Sequence, residues 1–254
     1  IYSCATYYDI IKDLYYKIYP NYRNEYFFKN LIANKIFLKE SNLFESSYLS
    51  EFPIGNSVAD VIIVNKSSKV FEIKTELDSP SRLKRQLEDY RKSFEQIYLV
   101  THKKLKEKYL DLLPDDIGLY LISENLDVRL EKYATLNLSL DFDTMFSFLR
   151  LSEMENIILH VYEALPKVRQ VQKYKAYRIL LRYLPINEFN TLWKSEISKR
   201  TKNKIKRVLK NGTLPSELTH WSLTKIKSHK DLDKVKTKFS ESIIKNQETC
   251  TFHF

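Results

Sequence analysis

The sequence predicts an α/β chain, a mixed β-sheet flanked by helices, followed by an all-helical C-terminal region. Three observations predict it. Short apolar runs bounded by turn residues recur between residues 48 and 133, helix-period patterns precede and interrupt them, and from about residue 141 only helical patterns remain. A domain boundary is therefore expected there, dividing residues 1–140 from a basic helical domain over residues 141–254.

Residues 6 to 40 read as one or two helices broken at Pro20. From Tyr48 to Thr75 the pattern changes to strands. Val58 to Val64 is an apolar run that reads as a buried strand, Asn65 to Lys69 as its turn, and Val70 to Thr75 as the returning strand. Ser79 as cap and Pro80 at the first helical position then open a helix reaching Phe94, with Leu83, Leu87, Tyr90 and Phe94 as its apolar stripe. A strand at Gln96 to Thr101, a helix near Lys103 to Leu113, a strand at Ile117 to Ile122 and a short one at Asp127 to Tyr133 complete the sheet. Beyond it, 141–149, 152–164, 167–183, 186–200 and 202–210 allow helices. Pro166, Pro185 and Gly212-Thr213-Leu214-Pro215 punctuate them.

Composition narrows the function. The 254 residues are 43% hydrophobic and 29% charged, ample for one core and compatible with two domains. With only 3 glycines, no glycine-rich phosphate cradle or dinucleotide fingerprint can be assembled. Cys4 and Cys250 lie at opposite ends and share no metal-ligand spacing with the 5 histidines, which argues against zinc and against a disulfide framework. No stretch approaches the ~18 continuous apolar residues of a membrane span, and no basic-then-apolar leader opens the chain, so a soluble, cytoplasmic protein is expected. The chain opens on Ile1, which leaves room for residues upstream.

Asp60, Glu72 and Lys74 are the most informative residues. Closing Val64 against Val70 places Asp60 across from Lys74 and diagonal to Glu72. Alternation then brings all three to one face while Phe71 and Ile73 point to the other. Three charges on strands otherwise rich in Val and Ile are costly unless something such as a bound cation compensates them. Two carboxylates with waters suit Mg²⁺ or Mn²⁺, and the lysine can hold an attacking water or stabilise developing negative charge. Without a metal, the same charges make an ion-paired edge hairpin in water. On the following helix Arg82, Gln86 and Tyr90 are spaced by four and share a face that can reach back over the hairpin.

The order Asp60, Glu72-Ile73-Lys74, then Gln86-Leu87-Glu88-Asp89-Tyr90 resembles the PD-(D/E)XK nuclease superfamily, in particular members with a Q-x-x-x-Y helix after the E-x-K strand. The segment from Glu51 to Val100 is also similar to the sce7726 family of bacterial proteins. The proline that names the superfamily is Ala59 here. The resemblance implies a restriction-endonuclease-like fold, Mg²⁺ or Mn²⁺ held by Asp60 and Glu72, a catalytic Lys74, and Gln86 and Tyr90 orienting the lysine or the nucleic-acid backbone. It also implies an acidic ligand from a preceding helix, for which Glu25 is the match. A first-turn glutamate favoured by the helix dipole is the plainer account of that residue. Glu51 is a second candidate.

Net charge is +10, and it is unevenly placed: residues 1–150 carry 21 Lys/Arg against 22 Asp/Glu, whereas residues 151–254 carry 21 against 10. It peaks at Lys194, Lys199, Arg200, Lys202, Lys204, Lys206, Arg207 and Lys210, opposed only by Glu196. Such density fits phosphate contacts, with Trp193 and nearby tyrosines available for stacking; a solvated lysine-rich face is the bland alternative. The expectation is a bacterial Mg-dependent nuclease acting on DNA, with phage defence, restriction or repair as settings. Rival readings are a non-catalytic nuclease-fold binding module and a toxin or immunity component engaging a protein partner. A homo-oligomer is also allowed.

Overall fold

Asn65 decides how the sheet begins. Its side chain accepts from the Ser67 backbone N–H at 2.9 Å, and its own N–H donates to the Ser67 carbonyl at 2.9 Å, which closes a tight turn of three residues. In a computed structural model, which describes residues 5–39, 42–210 and 214–241, this turn joins β2 (Ser57–Val64) to β3 (Ser68–Lys74). With β1 (Ser47–Ile54), β4 (Gln96–His102), β5 (Gly118–Ile122) and β6 (Val128–Lys132), they form one six-stranded sheet in the order β1-β2-β3-β4-β5-β6. The β3–β4 and β4–β5 pairs are parallel and the other three antiparallel. The fold is therefore α/β with a mixed sheet.

The returning strand starts two residues earlier than the sequence suggests. Ser68 pairs with Val64, and pairing runs to Val61 opposite Phe71. Continued one step, this register sets Asp60 across from Glu72 and not across from Lys74. The local turn chemistry of Asn65 overrides the five-residue turn expected from composition. A shift of two preserves the alternation, so Asp60, Glu72 and Lys74 still share a face.

Helices cover both faces. On one, α1 (Tyr7–Ile18) and α2 (Glu25–Leu31) lead into a π-helical turn at Ile32–Ile36, and Phe28, Ile32 and Phe37 pack with Val61, Ile63, Phe71 and Val100. On the other lies α3 (Leu83–Arg91), whose Leu83, Leu87 and Tyr90 meet Ile62, Val64 and Leu99. Asp89 fixes α3 to the β1–β2 turn by accepting from Ser57 Oγ at 2.7 Å. A Cβ on Gly55, where φ is +56°, would lie 2.9 Å from Asp89 Oδ1, so glycine permits both the turn and this approach. After α4 (Lys106–Leu110) and the last two strands come α5 (Phe142–Ser147), α6 (Leu151–Tyr162), α7 (Lys173–Arg182), α8 (Ile186–Lys199) and α9 (Lys202–Lys210). Two further helices, α10 (Thr219–Lys225) and α11 (His229–Ser240), follow within the stretch expected to be helical, where the sequence marks no individual helix.

The apolar core does not stop at residue 140. Met145, Phe146, Ile157, Tyr177, Phe189 and Trp193 belong to the same buried cluster as Ile54, Val64, Phe94 and Leu99. Trp193 is packed edge-on against Phe94 and Phe148, and its indole N–H donates to the Met145 carbonyl at 3.0 Å. It is wholly buried and so takes no part in the stacking on bases expected of it. No helix among the described residues is long and apolar enough to cross a membrane.

Candidate functional site: an acidic cleft with two lysines

Past Val61 and Phe71 the β2–β3 ladder opens. The Asp60 carboxylate replaces the next rung, accepting from the Ile73 backbone N–H at 2.7 Å. Beside it Glu72, only 1% exposed, has both oxygens engaged. Lys74 Nζ donates to Oε1 at 2.6 Å and the Tyr90 hydroxyl to Oε2 at 2.6 Å. Lys74 is held from the other side by Gln86 Oε1 at 3.0 Å. Thus the hairpin and α3 bring together Asp60, Glu72, Lys74, Gln86 and Tyr90, which sequence had placed on facing surfaces.

Downstream, the chain is fixed so that α3 stands where it does. Asp78 accepts from the Thr75 N–H and hydroxyl, both at 2.7 Å, and Ser79 caps the single turn Pro80–Arg82 that starts the helix. Thr101 on β4 donates its hydroxyl to the Lys74 carbonyl at 2.7 Å, anchoring the end of β3.

The opposite wall comes from α2 and β1. Asn24 caps α2 by accepting from the Tyr26 N–H, which sets Glu25 at the first helical position. Glu25 helps to raise the Asp60 carboxyl and is ion-paired to Lys29, one helical turn later. Lys29 is buried and also reaches Glu51 at 3.2 Å. Glu51 has φ +53°, an uncommon conformation for a non-glycine residue, and it sits beside the cleft where such strain often gathers. Sequence reasoning missed Lys29. Its signal was the four-residue spacing from Glu25.

These walls enclose a cleft of about 380 Å³. Arg82, expected there, lines its rim together with Arg85, which the sequence reading did not single out. Both arginines are exposed.

The electrostatics follow from burial and crowding. Burial, then the negative charges of Glu72 and Glu25, push the Asp60 carboxyl up to about 8. Burial also raises Glu72, against the opposing pull of Lys74, Tyr90 and Gln86. For Lys29 burial disfavours the charge, yet Glu25, Asp60 and Glu51 outweigh it and hold the ammonium above its usual range. The Lys29 bond in turn lowers Glu51. Carboxylates this close together demand either a proton or a cation.

Hard carboxylate oxygens from Asp60 and Glu72, with Glu25 beside them, are the donors that Mg²⁺ or Mn²⁺ takes, usually one or two carboxylates with waters. Among the described residues, no three Asp, Glu, His or Cys side chains form a metal-holding group. Lys74 and Tyr90 occupy Glu72, and Lys29 draws on Glu25.

The basic segment is arranged differently from the expected exposed patch. Arg200 is turned inward, donating to Glu153 at 2.6 and 2.7 Å and to the Phe148 carbonyl at 2.5 Å. Its neighbour Lys199 pairs with Glu196. Lys204 donates to the Thr224 carbonyl at 2.6 Å, and the Lys206 ammonium lies over the Phe44 ring. Lys202 lines a separate cleft. The side chains of Arg207 and Lys210 lie outside the described residues, as do Cys4 and Cys250. Packing of α8 and α9 against the sheet and α10 accounts for the inward turns, a tertiary effect invisible in charge density.

These features define an α/β protein with a buried acid–lysine cleft at the open end of a hairpin. A family model described as bacteriophage P4 protein cII matches residues 19–211, well over half of the chain, and the chain belongs to that family. It is 30% identical to protein cII of Enterobacteria phage P4 over 89 residues, a stretch covering 34% of this chain and 34% of that protein. The match thus spans about a third of the curated relative. A protein of unknown function from Silicibacter pomeroyi is 14% identical, with a TM-score of 0.32 over 49% of this chain and 86% of the other.

Proposed function

We propose that the chain is a metal-dependent nuclease of the PD-(D/E)XK type, with a restriction-endonuclease-like core, that hydrolyses phosphodiester bonds of DNA. One observation carries the reading: Asp60, Glu72 and Lys74 converge with Gln86 in a single cleft, where burial raises both carboxyls. Asp60 and Glu72, with Glu25, would hold Mg²⁺ or Mn²⁺, which when bound supplies Lewis-acid polarisation of the phosphate. Lys74, steadied by Gln86, presents an ammonium to the attacking water or the developing phosphorane charge. Tyr90 keeps Glu72 in one rotamer. Arg82 and Arg85 at the rim meet the phosphates on either side of the scissile bond.

The test is cleavage of plasmid and linear DNA with Mg²⁺ or Mn²⁺. Asp60→Asn, Glu72→Gln and Lys74→Ala are each expected to abolish turnover, and a double variant to be scarcely worse than a single one, because the residues act as a unit. Cleavage that persists in excess EDTA would sink the metal part of the reading. Full activity in Glu72→Gln would sink the site.

A further inference from the structure

A second cleft, of about 720 Å³, lies where the β2–β3 turn meets α8, the start of α9 and the short turn Leu43–Glu45. Five lysines line it: Lys66, Lys69, Lys194, Lys199 and Lys202. From Asp60 to Asn65 along β2 is about 17 Å at ~3.3 Å per residue, so this cleft is distinct from the acidic one.

The lysines are built in from three directions. Lys194 is fixed by Glu95 Oε1 at 2.6 Å and by the Lys66 carbonyl at 3.0 Å, which ties α8 to the hairpin turn. Lys199 is steadied by Glu196. Neither Lys66 nor Lys202 has an ion-pair partner among the described residues. The acidic residue on the lining, Glu45, is occupied by the Asn42 amide at 2.5 Å. Phe44, 41% exposed, stands at the wall with the Lys206 ammonium 5.8 Å from its ring centroid.

Gathering ammonium groups around a concavity costs repulsion that a polyanion relieves. An exposed aromatic ring among lysines adds what a base requires, a flat apolar surface beside the backbone's counter-charges. The concavity has the volume of a small-ligand pocket. It admits a few nucleotides of an unpaired strand, whereas a duplex would ride across its mouth.

We propose that this groove holds a single-stranded segment of nucleic acid, with phosphates on Lys66, Lys199 and Lys202 and a base on Phe44. The ligand class rests on the nuclease reading, and the groove would keep a displaced or frayed strand engaged while the acidic cleft works on the backbone elsewhere.

The test is fluorescence anisotropy of a short labelled oligothymidylate with the full chain in EDTA, where no metal-dependent cleavage intervenes. Lys66→Glu combined with Lys202→Glu is expected to weaken binding about tenfold or more and to flatten the salt dependence. Phe44→Ala is expected to weaken it roughly fivefold or more. Circular dichroism and melting temperature verify that each variant is folded; Lys66→Gln with Lys202→Gln replaces a reversal variant that is not. Unchanged affinity in the lysine variant overturns the groove. Unchanged affinity in Phe44→Ala overturns the single-strand assignment, as does competition by polyglutamate equal to that by unlabelled oligonucleotide, which would point to an acidic protein. Groove-dependent binding without any Mn²⁺-dependent cleavage overturns the nuclease reading and leaves the groove standing.

Discussion

Tyr90→Phe isolates one hydroxyl group. The Tyr90 ring is 0% exposed and packs in the core with Leu83 and Leu87, so the substitution leaves packing intact. Only the hydroxyl's contacts disappear: 2.6 Å to Glu72 Oε2 and 3.0 Å to the Val58 carbonyl. One proton serves one acceptor at a time, and the shorter contact to the charged oxygen takes it. Glu72 then loses a charge-assisted bond in a setting where water scarcely replaces it, a loss of about 1.5–3 kcal/mol. In a chain of this size that corresponds to a fall of roughly 3–6 °C in Tm. Thermal melts of wild type and Tyr90→Phe at neutral pH read it directly. A variant within about 1 °C of wild type would mean that Tyr90 does not hold Glu72 and that its hydroxyl is idle.

Gln86→Ala should cut turnover about 10- to 100-fold with little change in Tm, because it removes the outer support of Lys74 and nothing from the core; normal turnover would make α3 a purely structural element. Glu153→Ala strands Arg200, whose side chain is 4% exposed, and should destabilise by about 3–5 kcal/mol in urea titration without altering oligonucleotide affinity. His220, whose Nδ1 lies 2.8 Å from the Tyr48 hydroxyl, is lowered to about 4, by burial first and then by Lys29. The unfolded chain therefore binds a proton that the folded chain refuses between about pH 6.5 and pH 4. Stability contributed by neutral His220 is complete above that window and falls by about 3 kcal/mol across it. His220→Gln should flatten that part of the stability–pH curve, and an unchanged slope would refute the assignment.

The sheet was legible in the sequence because its signals are local. Apolar runs and the Ser79-Pro80 start mark β2, β3, β4 and α3 within their own residues. The shared face of Asp60, Glu72 and Lys74 also survived, since alternation depends only on parity. What the sequence could not carry was long-range choice. Asn65 closing its own turn shifted the register by two, and burial drew Arg200 and Trp193 inward against Glu153 and Phe94. Lys29 was missed because, although Glu25 lies one turn away on its own helix, Glu51 and Asp60, which share the cleft with it, lie on β1 and β2. α10 is a short helix whose anchors, such as the His220 N–H on Asn30 Oδ1, are nearly two hundred residues away.

The apolar body shared by Phe94, Met145, Phe189 and Trp193 leaves no seam between the sheet and α5 to α8. A fragment ending near residue 140 would uncover Val64, Leu99 and Phe94, and a fragment beginning there would hold half of an interior. Exchanging or discarding α5 to α8 while keeping the cleft would therefore expose one face of the sheet. Substitutions on the inner faces of α5 to α8 must instead be matched by changes on the sheet, and the cleft's geometry inherits their constraint.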